Sequence, residues 1–304
     1  MKAFKIIMNV LGIIAASFLS IFLVFALLAT SLVSAASSFF QGESIYKVLA
    51  SVDYSEIITA EMDMSEIDDM QEAEIEMIDE LMKSEMMKEI IELCVDNVFA
   101  VMDGTSEDNG VTADDIKEIA EDHEDELKDI IKTYIGDSIP LTEETLDEMT
   151  DSLVDEYSAE IAKMMPTAED LGLDEEVLNV IMNLRNNTYF WIAFAITAGL
   201  TLLVMLCQVM RFKGFMWIGV DYLVAALTTV ILSFVMKGFD LSLIAGEDRS
   251  VIPVLAAVVE IISANISKDA GMVAILGVVF IIVFVVGRLL LKKSAAKKAD
   301  VIGA

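Results

Sequence analysis

One aspartate stands inside an otherwise apolar run. It is Asp221, six residues past Phe215 in the stretch 215–236. At helical rise that is about 9 Å into a membrane span. A carboxylate at such depth is costly, and where one is kept it marks a proton or cation site or an ion pair that locks helices together. Asp221 heads the row Asp221, Ala225, Thr229, Ser233, spaced by four, a small polar stripe on one helical face that should meet other helices. The preceding apolar run carries Thr197, Thr201 and Gln208 on a comparable face, and folding about the basic turn at 211–214 brings Gln208 to the depth of Asp221. Arg211 in that turn, Arg288 near the end of the last apolar run and Asn9 near the start of the first fall in the same leaflet. The candidate cluster is therefore Asp221, Arg288, Gln208, Arg211 and Asn9. Two readings follow: an Asp221–Arg288 or Asp221–Arg211 pair that stabilises packing, or proton or cation passage through a small transporter or channel subunit. A single acid without a counterpart in the other leaflet favours the pair.

A second group of donors is Asp103, Glu107, Asp108 and Asn109, crowded into one loop rich in the hard oxygens that calcium takes. The loop fails the EF-hand pattern: with Gly110 at the sixth position, Ile116 occupies the twelfth, where Glu is required. No cofactor is expected, with a calcium site of another kind as the alternative. No nucleophile–base pair, metal motif or phosphate loop appears, so the chain reads as a non-enzyme. Cys94 and Cys207 lie in segments of opposite character and form no disulfide framework. The one histidine, His123, sits in an apolar helical series and reads as a helix–helix contact.

These residues are set in a chain whose acid and grease are segregated. It has 304 residues, 56% hydrophobic and 23% charged, with a net charge of −30. Residues 41–187 hold 43 Asp and Glu against 8 Lys and Arg, or −35, which leaves +5 for the remainder. A field of that sign repels phosphate and excludes nucleic acid as its partner. It suits a solvated surface, cations, or a basic peptide or protein.

Within the acidic segment three helix starts share one grammar: Val111-Thr112, Leu141-Thr142 and Leu173-Asp174 each place an apolar residue before a capping side chain, with acids in the first turn. The first helix runs through Ile116, Ile119, His123, Leu127, Ile130 and Tyr134 to Gly136. The second runs through Leu146 to Met164, with Pro166 as its stop. Before them, 65–102 reads as one long helix or two in tandem, and 44–59 leans helical. The third helix should couple the segment to the next apolar run as a continuous or slightly broken rod.

Four apolar spans are expected, at 6–33, 188–210, 215–236 and 271–291. The first has 28 uncharged residues, too long for the roughly 7–15 of a secretory signal, and reads as an uncleaved anchor. In it Gly12, Ala16 and Ser20 stack on one face, where another helix can approach closely. Lys2, Lys5, Arg211, Lys213, Arg288 and four tail lysines face one acid, Asp300. By the positive-inside rule both termini are cytoplasmic in the cell membrane and 41–187 lies outside. That count also makes the apolar stretch at about 251–267, which carries Glu260, an outer interfacial helix, with a break at 268–271 before the last span.

The expected fold is all-α: an anchor helix at 1–40, an extracytoplasmic acidic helical bundle at 41–187, and a three-span membrane domain at 188–304. Its opening layout of span, helical domain and span resembles chemoreceptor-type sensors in arrangement only. The expected role is binding, sensing or assembly, with the bilayer, a second membrane protein or another copy of the chain as partners.

Overall fold

The computed structural model describes residues 2–52, 69–102, 104–106, 110–135, 142–167, 175–207, 213–245 and 251–302. Every regular element among them is a helix. In chain order they are α1 (Lys2–Phe39), α2 (Gly42–Ser51), α3 (Asp69–Lys83), α4 (Glu85–Met102), α5 (Ala113–Asp122) and α6 (Glu124–Ile135). Then come α7 (Glu143–Met164), α8 (Glu175–Arg185), α9 (Thr188–Cys207), α10 (Lys213–Lys237), the single turn α11 (Ser242–Ala245) and α12 (Ile252–Ile302). The chain divides into two compact units, one of Met1–Ser38, Asn186–Phe239 and Ile262–Ala304, the other of Phe39–Arg185 and Asp240–Ile261.

The acidic unit is built around α4, which uses two faces. Met86, Ile90, Cys94 and Val98, four apart, join Val111, Ile116, Ile119 and Ala120 in the main core, and Leu127, Val154 and Ile161 pack on it. Met87 and Ile91 on the other face meet Tyr46 of α2. The expected caps form. Thr112 and Asp115 make a reciprocal capping box at the start of α5, and the Thr142 hydroxyl accepts from the Thr145 amide at the start of α7. Helix α7 ends at Met164, two residues before Pro166. The third expected start, Asp174, and the stop at Gly136 lie outside the described residues.

One open alternative is settled and one expected helix is interrupted. The stretch before Met102 is two helices in tandem, parted at Ser84. There the Ser84 hydroxyl accepts from the Met87 amide, and the Tyr46 hydroxyl donates to the Lys83 carbonyl at 2.7 Å. The run from Ile116 to Tyr134 is also broken, at His123 (φ −111°, ψ 23°). Glu124, Asp125 and Glu126 then open α6, in the first turn where the helix dipole favours acids.

In the other unit α1, α9, α10 and α12 pack around Leu23, Leu27, Val204, Ile218, Tyr222 and Ala225. All four are long and apolar enough to cross a membrane. Their burial is the inverse of a water-soluble bundle. Ser20, Ser31, Thr197, Thr229 and Ser233 are buried, while Phe25 and Phe234 are 65% and 71% exposed. Such an exterior suits hydrocarbon, where small and polar residues mark helix–helix contacts. Gly219 and Gly277 let α10 and α12 touch backbone to backbone: a Cβ at Gly219 would stand 2.9 Å from the Gly277 carbonyl oxygen.

Helix α12 overturns the expected break at 268–271. It is continuous over 51 residues, Pro253 stands in its first turn where no helical N–H is needed, and no later proline interrupts it. Lys268 is exposed and Asp269 turns inward, so the charged pair sits on two faces of one helix.

Candidate functional site

The polar interior of the four-helix unit is joined helix to helix. Thr30 of α1 pairs with Thr197 of α9 at 2.9 Å, and Thr201 of α9 with the Tyr222 hydroxyl of α10 at 3.2 Å. Ser233 of α10 donates to the Ser263 carbonyl of α12 at 3.0 Å and pairs with Ser267, while Asn265 donates back to Ser38 of α1. The row expected to face other helices does so: Asp221, Ala225, Thr229 and Ser233 are all buried.

Asp221 is 95% buried, its relative exposure being 5%. It stands beside Ser20 of α1, yet the Ser20 hydroxyl and Asp221 Oδ2 are both buried without a hydrogen-bond partner of ordinary geometry among the described residues. The expected Asp221–Arg288 lock is absent. Arg288 is exposed, lies over the Phe284 ring and shares a crevice with Ile13. Ile13 precedes Ser20 by seven residues on α1, so the acid and the base differ in depth by about 10 Å of helical rise. Gln208 and Arg211 fall outside the described residues, as does the side chain of Asn9, which belongs to α1.

Sequence reasoning missed a second inward acid. Asp269 of α12 stands beside Ser34 of α1, and its Oδ2 is buried without a partner among the described residues. The spacing of Ser263, Ile266, Ala270 and Gly277 along one face carried the signal, but only for a helix unbroken through 268–271. Ser20 and Ser34 put the two acids about 21 Å apart along α1. Leu23 and Leu27 close the interval between them.

In the acidic unit a groove of about 1120 Å³ runs between α3 and α6. Glu76, Asp79, Glu80, Glu85, Glu126 and Asp129 line it, against Lys83 and His123 as its basic side chains. His123 makes the helix–helix contact that its place in the series suggested, but a polar one. Nε2 stands 3.0 Å from Glu89 and Nδ1 3.5 Å from Glu126. Glu126 also accepts from the Glu85 and Met86 amides, capping α4 from α6. The Tyr134 hydroxyl donates to Glu80 at 2.6 Å, and that bond, with some burial, pushes its pKa up to about 12.

Arg185, at the end of α8, holds the segment's entry and exit together. Its guanidinium pairs with Asp96 at 2.5 Å, donates to the Phe40 carbonyl at 3.3 Å and stacks 4.1 Å over Phe99. Gln41 donates to the Arg185 carbonyl. The chain then turns at Asn186–Asn187, with Asn187 at φ 57°, so the rod into α9 is broken.

Asp103, Glu107, Asp108 and Asn109, the candidate calcium loop, lie outside the described residues. Among those described, no three His, Cys, Asp or Glu side chains converge as metal ligands. No protein-family model, curated protein or solved structure matches the chain.

Proposed function

We propose that the chain is a multi-pass cell-membrane protein whose acidic helical unit lies outside and binds a basic partner, a cationic peptide or protein segment. The groove between α3 and α6 carries this reading: six carboxylates face one lysine and one histidine there. Net charge of one sign raises the rate of encounter with an opposite charge, and a groove gives that attraction a place to act. The lysine count sets the orientation, with both termini cytoplasmic. Occupancy is then passed laterally to another membrane protein or a second copy.

The test uses the full chain in nanodiscs of neutral lipid, titrated with a labelled oligolysine. Glu76→Gln, Glu80→Gln and Asp129→Asn together should weaken binding about tenfold, since each partly exposed pair is worth roughly 0.5 kcal/mol. Glu148→Gln, Asp151→Asn and Glu160→Gln, exposed on α7 outside the groove, should cost much less. Equal losses from the two sets would reduce the effect to bulk charge and sink the groove as a site. Protease added to intact cells should cut the acidic unit; protection there with digestion in lysates would reverse the orientation.

A second reading, proton or cation passage, is favoured by the buried unpartnered oxygens of Asp221 and Asp269 at two depths. It ranks below the first because Leu23 and Leu27 fill the space between. In proteoliposomes, loss of flux on either Asp221→Asn or Asp269→Asn would support it, and flux indifferent to both would remove it.

A further inference from the structure

At the end of the four-helix unit where α10 begins, a crevice of about 580 Å³ opens between α1, α10 and α12. Ile13, Met216, Val220 and Phe284 give it apolar walls, and Trp217 lines it beside them. Lys213 and Arg288 are its two cations, and among the described residues neither makes an ion pair with an acid. Met216 and Val220 are also exposed on the outer face of α10, so the crevice is continuous with the apolar exterior. Lys292 and Lys293, exposed one turn beyond Arg288, add positive charge at the same end.

We propose that this crevice is a binding site for an anionic glycerophospholipid, in the leaflet that faces the basic turn and tail. The inference rests on the four helices crossing a membrane and is independent of what the acidic unit binds. Lys213 and Arg288 hold the phosphate. One acyl chain lies against Met216, Val220 and Phe284. Trp217 sits at headgroup level, where an indole has both an apolar body and a polar edge to satisfy. Basic pockets between membrane helices recognise lipid headgroups in this way. A soluble phosphate would satisfy the two cations and leave the apolar walls uncovered, whereas a zwitterionic lipid would bring a second cation toward Lys213 and Arg288.

The chain has two tryptophans, so Trp191→Phe leaves Trp217 as the sole reporter. The full-length protein is placed in bilayers containing phosphatidylglycerol or phosphatidylcholine with brominated acyl chains at equal mole fraction, and Trp217 fluorescence is read. Brominated phosphatidylglycerol should quench more strongly. Lys213→Gln with Arg288→Gln should abolish that preference while quenching by brominated phosphatidylcholine persists, which reports that the variant is still inserted and folded. Each cation at a membrane surface is worth about fivefold in affinity for an anionic lipid, so the double change should weaken binding about 25-fold. Equal quenching by the two lipids in the unsubstituted crevice would overturn the proposal without any variant. Reversal of the preference by inorganic phosphate at constant ionic strength would reassign the crevice to a free anion.

Discussion

Arg185 makes contacts of three kinds: an ion pair, a carbonyl bond and a ring contact, each to a different part of the acidic unit. Asp96 is largely exposed, so the ion pair alone is worth little. The bond to Phe40 and the stacking on Phe99 need the planar guanidinium, which an ammonium lacks. Arg185→Ala should therefore cost about 1–2 kcal/mol, with Arg185→Lys recovering only a minor part. Hydrogen exchange at Phe39–Gln41 would register it, and equal protection in all three proteins would show that the clasp holds nothing. Tyr134 supplies a pH-dependent test. Its phenol is raised from 10.0 to about 12 by donation to Glu80, so the folded unit keeps a proton that the unfolded chain gives up sooner. The contribution is complete below pH 10.0, the ordinary value of a phenol, and is lost as pH climbs to about 12. Tyr134→Phe should be less stable than the parent at neutral pH, and the gap should close across that window. A gap constant through it would mean that the Glu80 bond does not set the titration.

Helix contacts rest on features that differ in how far they reach along the chain. Thr112, Thr142 and Pro166 were readable because a cap or a stop involves residues within one turn. The four apolar runs were readable because twenty uncharged residues have few other homes. The positions of the breaks at Ser84 and His123 were not, since Tyr46 and Glu126 meet the first and Glu89 meets the second, each from a distant position. Asp221 was singled out correctly as buried, but the pairing with Arg288 does not form: sharing a leaflet with Arg288 does not fix relative height to within a hydrogen bond. Asp269 was lost through treating Lys268 and Gly271 as a stop, although a glycine inside a long apolar helix costs only about 1 kcal/mol. The glycine contact between α10 and α12 gives this scale its test. A methyl at Gly219 would lie 2.6 Å from Ile281 Cγ1 and 2.9 Å from the Gly277 carbonyl oxygen, while one at Gly199 meets nothing within 4 Å. Ile281 can rotate away, but the carbonyl cannot. Gly219→Ala should cost about 1–3 kcal/mol of overpacking and so lower the unfolding midpoint in detergent, and Gly199→Ala should be neutral or slightly stabilising. Two variants alike would mean that the helices do not cross at these glycines.

At the scale of the molecule, the distribution of charge makes a claim that no single residue does. Six of the eight Lys and Arg of residues 41–187 (Lys47, Lys83, Lys88, Lys117, Lys128 and Arg185) are paired with acids. Against 43 acids, most carboxylates are left to repel one another. Salt weakens both the few attractions and the many repulsions, and the repulsions are more numerous. Raising ionic strength from about 0.01 M to 1 M shortens the screening length from roughly 30 Å to 3 Å, so the acidic unit should become more stable as salt is added. The four-helix unit, whose outer face is apolar, should respond far less. Hydrogen exchange resolved by segment would separate the two, and a fall in stability of the acidic unit with salt would mean that the paired lysines dominate its energetics. Divalent ions sharpen the test. If screening is all that acts, calcium and magnesium at equal concentration should give the same increment. An extra rise with calcium alone would follow from mass action at a specific site, and the loop of Asp103, Glu107, Asp108 and Asn109 is where substitution should then remove it.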